Sequence, residues 1–118
     1  MPDISSVAMR VYNMEAMLRF YSEAFQVQFR EVDTYGIQSQ FGELNGITLK
    51  FVPIRDSADF KEFPVHQLGL TVSDVEGVIA LALQHGGRQE GQIMRAEGRT
   101  QAAVRDPDGN TIELYSEQ

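Results

Sequence analysis

The feature that most constrains the fold of this chain is an internal repeat, because its second half follows the same order of sequence patterns as its first half. Residues 6–18 (SVAMRVYNMEAML) align without a gap with residues 67–79 (QLGLTVSDVEGVI), 61 positions further on. Residues 41–51 align with the stretch that starts at Val104, at an offset of 63 positions. Two copies of one supersecondary unit are therefore expected within the 118 residues.

Each half begins with a pattern that predicts a β-strand with one apolar face. Val7, Met9 and Val11 alternate with small or polar residues in the first half, and residues 68–72 repeat the alternation in the second. A period of two is that of a strand. The apolar residues should therefore face a helix, and the intervening residues should face away from it.

A helix follows each of these first strands. Asn13 and Asp74 are residue types that cap helix N-termini, and helices are predicted over residues 14–25 and 75–85. The predicted apolar side of the first helix is Met14, Leu18, Tyr21 and Phe25. The predicted apolar side of the second helix is Val75, Val78, Ile79 and Ala82.

Shorter strands complete each half, and turn residues precede the last one at 44–46 (LNG) and at 106–109 (DPDG). The predicted fold class is α+β, with two βαβββ modules in a single domain over residues 1–118. The first module is expected to span residues 1–54 and the second residues 65–118. A charged linker at 55–64 is expected to join them.

The charge and composition of the chain exclude several classes of function. Ten basic residues stand against 17 acidic ones, which gives a net charge of -7. Binding to nucleic acid or to an anionic membrane needs a basic face, so neither partner is expected. The chain has no cysteine, which excludes disulfides and thiolate catalysis. No apolar run approaches ~20 residues and no secretory signal is visible, so a cytoplasmic location is expected.

Residues 106–114 (DPDGNTIEL) resemble the closing turn and strand of the vicinal oxygen chelate superfamily, which includes glyoxalases, bleomycin resistance proteins and extradiol dioxygenases. Residues 7–25 and 68–87 resemble the strand–helix starts of its modules, so the resemblance covers nearly the whole chain. It implies that the curved sheets of two modules enclose a cavity. For members that use a metal, it implies four ligands, one on the first and one on the last strand of each module.

The four ligand positions implied by the resemblance fall on Ser6, Lys50, Gln67 and Glu113. Gln67 and Glu113 fit the family's ligand types, whereas Ser6 is a weak donor and a protonated lysine has no lone pair. Lys50 is expected to pair with Glu113 in place of a metal, so no cofactor is expected. The alternative is a divalent metal (Zn, Ni, Mn or Fe) held by Gln67, Glu113 and His66. His66 has the wrong strand parity and needs a bulge to reach that position.

The residues expected on the cavity side of the strands predict a small polar or aromatic ligand. Arg10 and Lys50 can hold an anionic group, the arginine through a bidentate fork. Gln38 and Gln40 are also expected on this side. The full set of predicted ligand-binding residues is Ser6, Arg10, Lys50, Gln67, Thr71, Glu113 and Tyr115.

Three functions remain open from the sequence. The first is a metal-free binding protein of the bleomycin-resistance kind, which sequesters a small molecule. The second is a metal-dependent enzyme, either a lyase similar to lactoylglutathione lyase or a dioxygenase-like protein, with Glu113 as the candidate catalytic base. The third is a structural or regulatory dimerisation module. A homodimer is expected, because this family commonly covers its exposed sheet edges by pairing chains.

Overall fold

The computed structural model of the protein describes residues 5–34, 36–54 and 67–117. The chain divides into two compact units, Met1–Glu62 and Phe63–Gln118. The linker expected at residues 55–64 lies outside the described residues. Each unit contains one helix and one four-stranded mixed sheet. Neither helix of the described residues is long and apolar enough to cross a membrane.

The first unit has the order β1 (Ser6–Val11), α1 (Met14–Phe25), β2 (Phe29–Thr34), β3 (Ile37–Leu44) and β4 (Ile47–Pro53). Its strands are arranged β1-β4-β3-β2, so the last strand lies between the first and the third, and β1 and β2 form the two edges of the sheet. Strand β1 runs parallel to β4, and the other pairs are antiparallel. The predicted βαβββ order is confirmed in this unit.

The second unit has the order β5 (Gln67–Thr71), α2 (Val75–Gln84), β6 (Arg88–Ala96), β7 (Arg99–Arg105) and β8 (Thr111–Glu117). Its strands are arranged β5-β8-β7-β6, with the same directions as in the first unit. The α+β fold of two βαβββ modules is therefore confirmed. Helix α2 ends one residue before the predicted boundary, because His85 is its C-cap and donates its backbone N–H to Leu81 and Ala82.

Both helices begin at the predicted capping residues. The Asn13 side chain accepts from the Ala16 N–H at 3.2 Å, and the Asp74 side chain accepts from the Gly77 N–H at 3.0 Å. These side chains satisfy N–H groups that have no partner inside the helix. Cap and helix start were therefore readable from the sequence in both halves.

The buried side of α1 is rotated from the predicted one. Its buried residues are Met17, Phe20, Tyr21 and Ala24. Of the predicted set only Tyr21 is buried, whereas Met14, Leu18 and Phe25 are half-buried at the edges of the stripe. The buried set follows the i, i+3, i+4, i+7 spacing of one helix face. Tyr21 is the one residue that this face shares with the predicted set. The prediction for α2 was closer, since Val75, Ile79 and Ala82 are buried.

The core of the first unit is an aromatic cluster between α1 and the sheet. Phe51 of β4 is fully buried, and its ring lies 5.2 Å from the ring of Tyr21 and 4.9 Å from that of Phe29. Phe20 packs edge-on against Tyr21 with centroids 5.2 Å apart. Edge-to-face contacts of this kind add to the apolar area that the rings bury.

Strand alternation gives each sheet a second face, opposite its helix, which we call the helix-free face. In β1, Met9 and Val11 are buried whereas Ala8 and Arg10 are exposed. In β8, Ile112 and Leu114 are buried, and Glu113 lies between them, half-buried. The functional residues predicted from the sequence were assigned to this second face.

Candidate functional site

One row of cross-strand neighbours dominates the helix-free face of the first sheet. Ala8 of β1 pairs with Lys50 of β4, Lys50 pairs with Phe41 of β3, and Phe41 pairs with Arg30 of β2. Residues paired in this way project from the same face of a sheet. Arg10 lies on this face in the next row, opposite Val52. In the preceding row, Ser6 lies opposite Thr48.

Two cations lie against the ring of Phe41 from the strands on either side of it. The Lys50 Nζ is 5.3 Å from the ring centroid, and the Arg30 Cζ is 5.9 Å from it. Both distances are within the range of a cation–π contact. Glu43, a carboxylate on the same face, accepts a hydrogen bond from the Thr48 hydroxyl at 2.7 Å. Lys50 is therefore in contact with an aromatic ring of its own unit.

The register of β3 corrects the expectation for Gln38 and Gln40. Gln40 pairs with the core residue Phe51, so it lies on the helix side of the sheet, and Gln38 shares its parity. Phe41 takes the place on the helix-free face that the sequence analysis gave to Gln40. Neither Phe41 nor Arg30 was predicted as a site residue. Their position on this face depends on how β3 pairs with its neighbours, and this pairing depends on the β3–β4 turn.

Glu113 is the central residue of the helix-free face of the second sheet. It pairs with Gly69 of β5 on one side and with Ala103 of β7 on the other. Both neighbours are small, so they leave room around the carboxylate. The Tyr115 hydroxyl donates to the Glu113 Oε1 at 2.7 Å, and the Arg99 Cζ lies 5.0 Å from the centroid of the Tyr115 ring.

The hydrogen bond to Glu113 raises the pKa of Tyr115 above its ordinary value, and burial and the negative charge of Glu113 act in the same direction. The phenol must stay protonated to donate this bond, and an ionised phenolate would be repelled by the carboxylate. Tyr115 thus remains a donor through the neutral pH range and fixes one oxygen of Glu113.

We expect Glu113→Gln to lower the pKa of Tyr115 towards the ordinary value of about 10, because the substitution removes the charge that opposes ionisation. The measurement is an alkaline titration followed by NMR of the ¹³C-labelled Tyr115 ring. Glu15→Gln removes the same charge from an exposed position of α1 and should leave the titration unchanged. An identical Tyr115 titration in wild type and Glu113→Gln would contradict the assignment.

A second polar cluster on this sheet was not predicted from the sequence. Arg105 donates to the Glu90 Oε2 through Nε at 3.1 Å and Nη2 at 2.5 Å, and Thr111 donates to the Glu90 Oε1 at 3.0 Å. The bond from Arg105 lowers the pKa of Glu90, although burial opposes this. These residues are distant in sequence and meet only through strand pairing, so no local sequence pattern predicts the cluster.

The remaining predicted residues lie on β5 or beyond the described region. Gln67 pairs with Thr111 and Thr71 pairs with Tyr115, and both β5 residues are exposed. His66 lies outside the described residues, so its expected parity stays a prediction.

The four positions at which the family resemblance implies metal ligands do not offer a suitable donor set. Lys50 has no lone pair while protonated, Ser6 is a weak neutral donor, and Gln67 is neutral. Glu113 is the single carboxylate among them, and one of its oxygens already accepts from Tyr115. Within residues 5–34, 36–54 and 67–117, no three His, Asp or Glu side chains form a group that could hold a metal ion.

A separate cavity of about 230 Å³ lies within the second unit, between the start of α2 and the β6–β7 hairpin. Its charged lining residues are Asp74, Glu76, Arg95 and Arg99. Arg95 donates to Glu76, and Asp74 accepts from the Gly77 N–H as the helix cap. Two carboxylates and two guanidinium groups therefore line the cavity, and their formal charges cancel.

Comparison with known proteins decides the family. The sequence matches the model of the Glyoxalase/Bleomycin resistance protein/Dioxygenase superfamily over residues 3–114. The chain belongs to this superfamily. The resemblance carried by the closing turn and the two strand–helix starts is thereby confirmed. Among curated proteins, none matches the sequence significantly.

Solved structures of this superfamily share the fold. A glyoxalase-related enzyme from Fulvimarina pelagi is 19% identical with a TM-score of 0.75, and the match covers 99% of this chain and 89% of that one. A family enzyme from Burkholderia phytofirmans PsJN is 19% identical with a TM-score of 0.77, covering 99% and 100%. A fosfomycin resistance protein from Listeria monocytogenes is 12% identical with a TM-score of 0.80, covering 100% and 95%. Identities this low establish the fold and leave the ligand open.

Proposed function

We propose that this superfamily member binds a small molecule on the helix-free faces of its sheets without the help of a metal ion. The observation that carries the proposal is the state of Lys50. At a position where metal-using relatives are expected to have a ligand, this chain has a half-buried lysine whose ammonium lies 5.3 Å from the centroid of the Phe41 ring. A cation in this place opposes a metal and favours an organic ligand with complementary charge.

Each sheet is proposed to offer its own set of ligand contacts. Ser6, Arg10 and Lys50 would contribute from the first sheet, and strand register supports their placement on one face. The second sheet would contribute Gln67, Thr71, Glu113 and Tyr115, which share a face by the same criterion. This set combines donors, acceptors and an aromatic ring, as binding sites for small polar molecules usually do.

The experiment that tests this function is a thermal-stability screen of the whole chain against small molecules of all charge types. A ligand at 100 times its Kd stabilises the native state by about 2.7 kcal/mol, which raises Tm measurably. Ligands found in the screen are then mapped by NMR. Shifts confined to amides of the strands of either sheet support the proposal. A screen without ligands, or ligands that perturb only other surfaces, contradicts it.

The alternative of a metal-dependent lyase or dioxygenase gives an opposite expectation for metal content. A doubly charged ion about 4 Å from an ammonium is opposed by roughly 8 kcal/mol at an effective dielectric of ~20. We therefore expect purified protein to contain no stoichiometric zinc, nickel, manganese or iron by elemental analysis. The double variant Lys50→Glu/Ser6→His restores a conventional donor set and should gain metal affinity. One tightly bound metal per unmutated chain would favour the enzyme instead.

We extend the proposal to assembly and location: a homodimer in the cytoplasm. The expectation of a dimer is supported by the edge strands, β1 and β2 in the first sheet and β5 and β6 in the second, which among the described residues have a sheet neighbour on one side only. Sedimentation of the protein at micromolar concentration tests it, and a monomer would contradict it.

A further inference from the structure

We propose that the ligand is an organic anion, whose carboxylate or phosphate group is bound by Lys50 and Arg30 around Phe41. This inference rests on the proposed small-molecule binding and names the chemical class of the ligand. It concerns only the helix-free face of the first sheet, and every contact used in it lies within that unit.

The helix-free face of the first sheet has a local excess of positive charge. The chain as a whole is acidic, at a net charge of -7, yet on this face two basic residues, Lys50 and Arg30, lie on either side of Phe41. Among the described residues, no carboxylate forms an ion pair with Lys50 or Arg30. Glu43, on the same face, is engaged by the Thr48 hydroxyl instead. Two cations thus keep the capacity to bind an anion.

Two arginines of the second sheet have ion-pair partners. Arg105 is held by Glu90 through two nitrogens, and Arg95 is paired with Glu76. In both cases a carboxylate of the same unit satisfies the guanidinium. Lys50 and Arg30 have no such partner among the described residues, so an anionic ligand can supply their counter-ion.

Lys50 and Arg30 are spaced so that both can reach one point above the Phe41 ring. Adjacent strands lie about 4.8 Å apart, so the backbones of Lys50 and Arg30 are about 10 Å apart with Phe41 between them. Extended lysine and arginine side chains are about 6 Å long, which lets both reach a common point above the ring.

The ring itself fits this role. The faces of an aromatic ring are partially negative and its edge is partially positive. Lys50 and Arg30 lie towards the ring from the flanking strands, which leaves the edge as the surface that an incoming anion would meet. Exposed cation–π contacts are weak, so the two cations can turn from the ring to a bound anion at little cost.

The test uses inorganic phosphate and benzoate as probes, with benzamide as the neutral analogue of benzoate and benzamidine as the cationic one. The whole ¹⁵N-labelled chain is titrated at low ionic strength up to ~10 mM probe, where a site with a Kd of ~1 mM is almost filled. We expect benzoate and phosphate to shift the amides around Lys50, Phe41 and Arg30. We expect neither benzamide nor benzamidine to do so.

Two variants and a matched control assign the effect to these side chains. Lys50→Met and Arg30→Met keep the apolar stem but remove the charge, and each should weaken benzoate binding roughly tenfold. Arg19→Met removes the same charge from the exposed side of α1 and should leave the affinity within about twofold. Unfolding curves of the three variants should coincide with wild type, because none of the side chains is in the core.

Each contrary result has a distinct meaning. Equal shifts from benzamide and benzoate on these amides overturn the anion class and leave small-molecule binding in place. Equal weakening by Arg19→Met and Lys50→Met overturns the assignment to this face. No shift with either anion overturns the inference, even where the broader screen finds neutral ligands on the second sheet. Shifts of the same amides that depend on protein concentration without any probe would assign the face to a second copy of the chain instead.

Discussion

Phe51→Ala should lower the free energy of unfolding by about 4 kcal/mol, because it removes a large, fully buried ring from the middle of the aromatic cluster. The Phe51 ring contacts the rings of Tyr21 and Phe29, which belong to α1 and β2. Its loss leaves a cavity between the helix and three strands that the rigid sheet cannot close. Urea denaturation followed by circular dichroism gives the measurement.

Phe41→Ala is the matched control, since it deletes the same side chain from the opposite face of the sheet. Phe41 is half-buried and has Lys50 and Arg30 as ring neighbours. We expect it to cost about 1 kcal/mol or less. Similar losses for the two variants would show that the helix-free face is part of the core, and would contradict the division into a core face and a binding face.

This difference between adjacent positions makes the proposed function testable. Lys50 and Phe51 are neighbours in β4 and point to opposite sides of the sheet. A substitution at Lys50 can therefore change ligand affinity while the helix packing around Phe51 is kept. Affinity and stability should vary independently along this strand, as they do when a binding surface lies on a rigid scaffold.

The sequence predicted the elements well where the signal is local. Alternation in residues 6–11 and 67–72 assigned the faces of β1 and β5, and Asn13 and Asp74 marked the helix starts. These signals depend on residues that are close along the chain and on a period that each element imposes. The repeat then transferred every assignment from one half to the other, which is why the whole fold class followed.

The sequence predicted less where the arrangement depends on strand pairing. The position of Phe41 between Lys50 and Arg30 requires the register of three strands. The contact of Arg105 with Glu90 likewise follows from the pairing of β6 with β7, which shifts register between Glu90 and Met94. An irregularity of this kind changes which residues share a face, and alternation alone cannot locate it.

Asp106→Ala should lower the free energy of unfolding by about 3 kcal/mol. Asp106 is buried, and its Oδ1 accepts from the backbone N–H groups of Asp108 and Asn110 at 3.0 and 2.9 Å. Its Oδ2 accepts from the Asn110 Nδ2 at 2.9 Å. Without the carboxylate these donors lose their partner inside the protein, and a buried donor left unpaired costs about 1–3 kcal/mol. Urea denaturation provides the measurement.

Glu43→Ala is the control. Glu43 occupies the repeat-equivalent position of the first half, and its substitution removes the same charge from an exposed site. Its expected cost is about 0.5 kcal/mol or less. A double-mutant cycle of Asp106→Ala with Asn110→Ala isolates the contact, and we expect the double variant to lose clearly less than the two single losses combined. Additive losses would show that the carboxylate acts through something other than Asn110.

The result bears on function, because Asp106 and Asn110 stand in the motif that carries the family resemblance. In this structure the motif closes a turn and starts β8, the strand that presents Glu113 and Tyr115. If the turn carboxylate stabilises the fold as expected, the part of this sequence that most resembles the family has a structural role. Its presence then indicates how the last strand is positioned. Residues that face away from the helix, such as Lys50, alternate with the core along the strands, so they can vary while the core packing is kept.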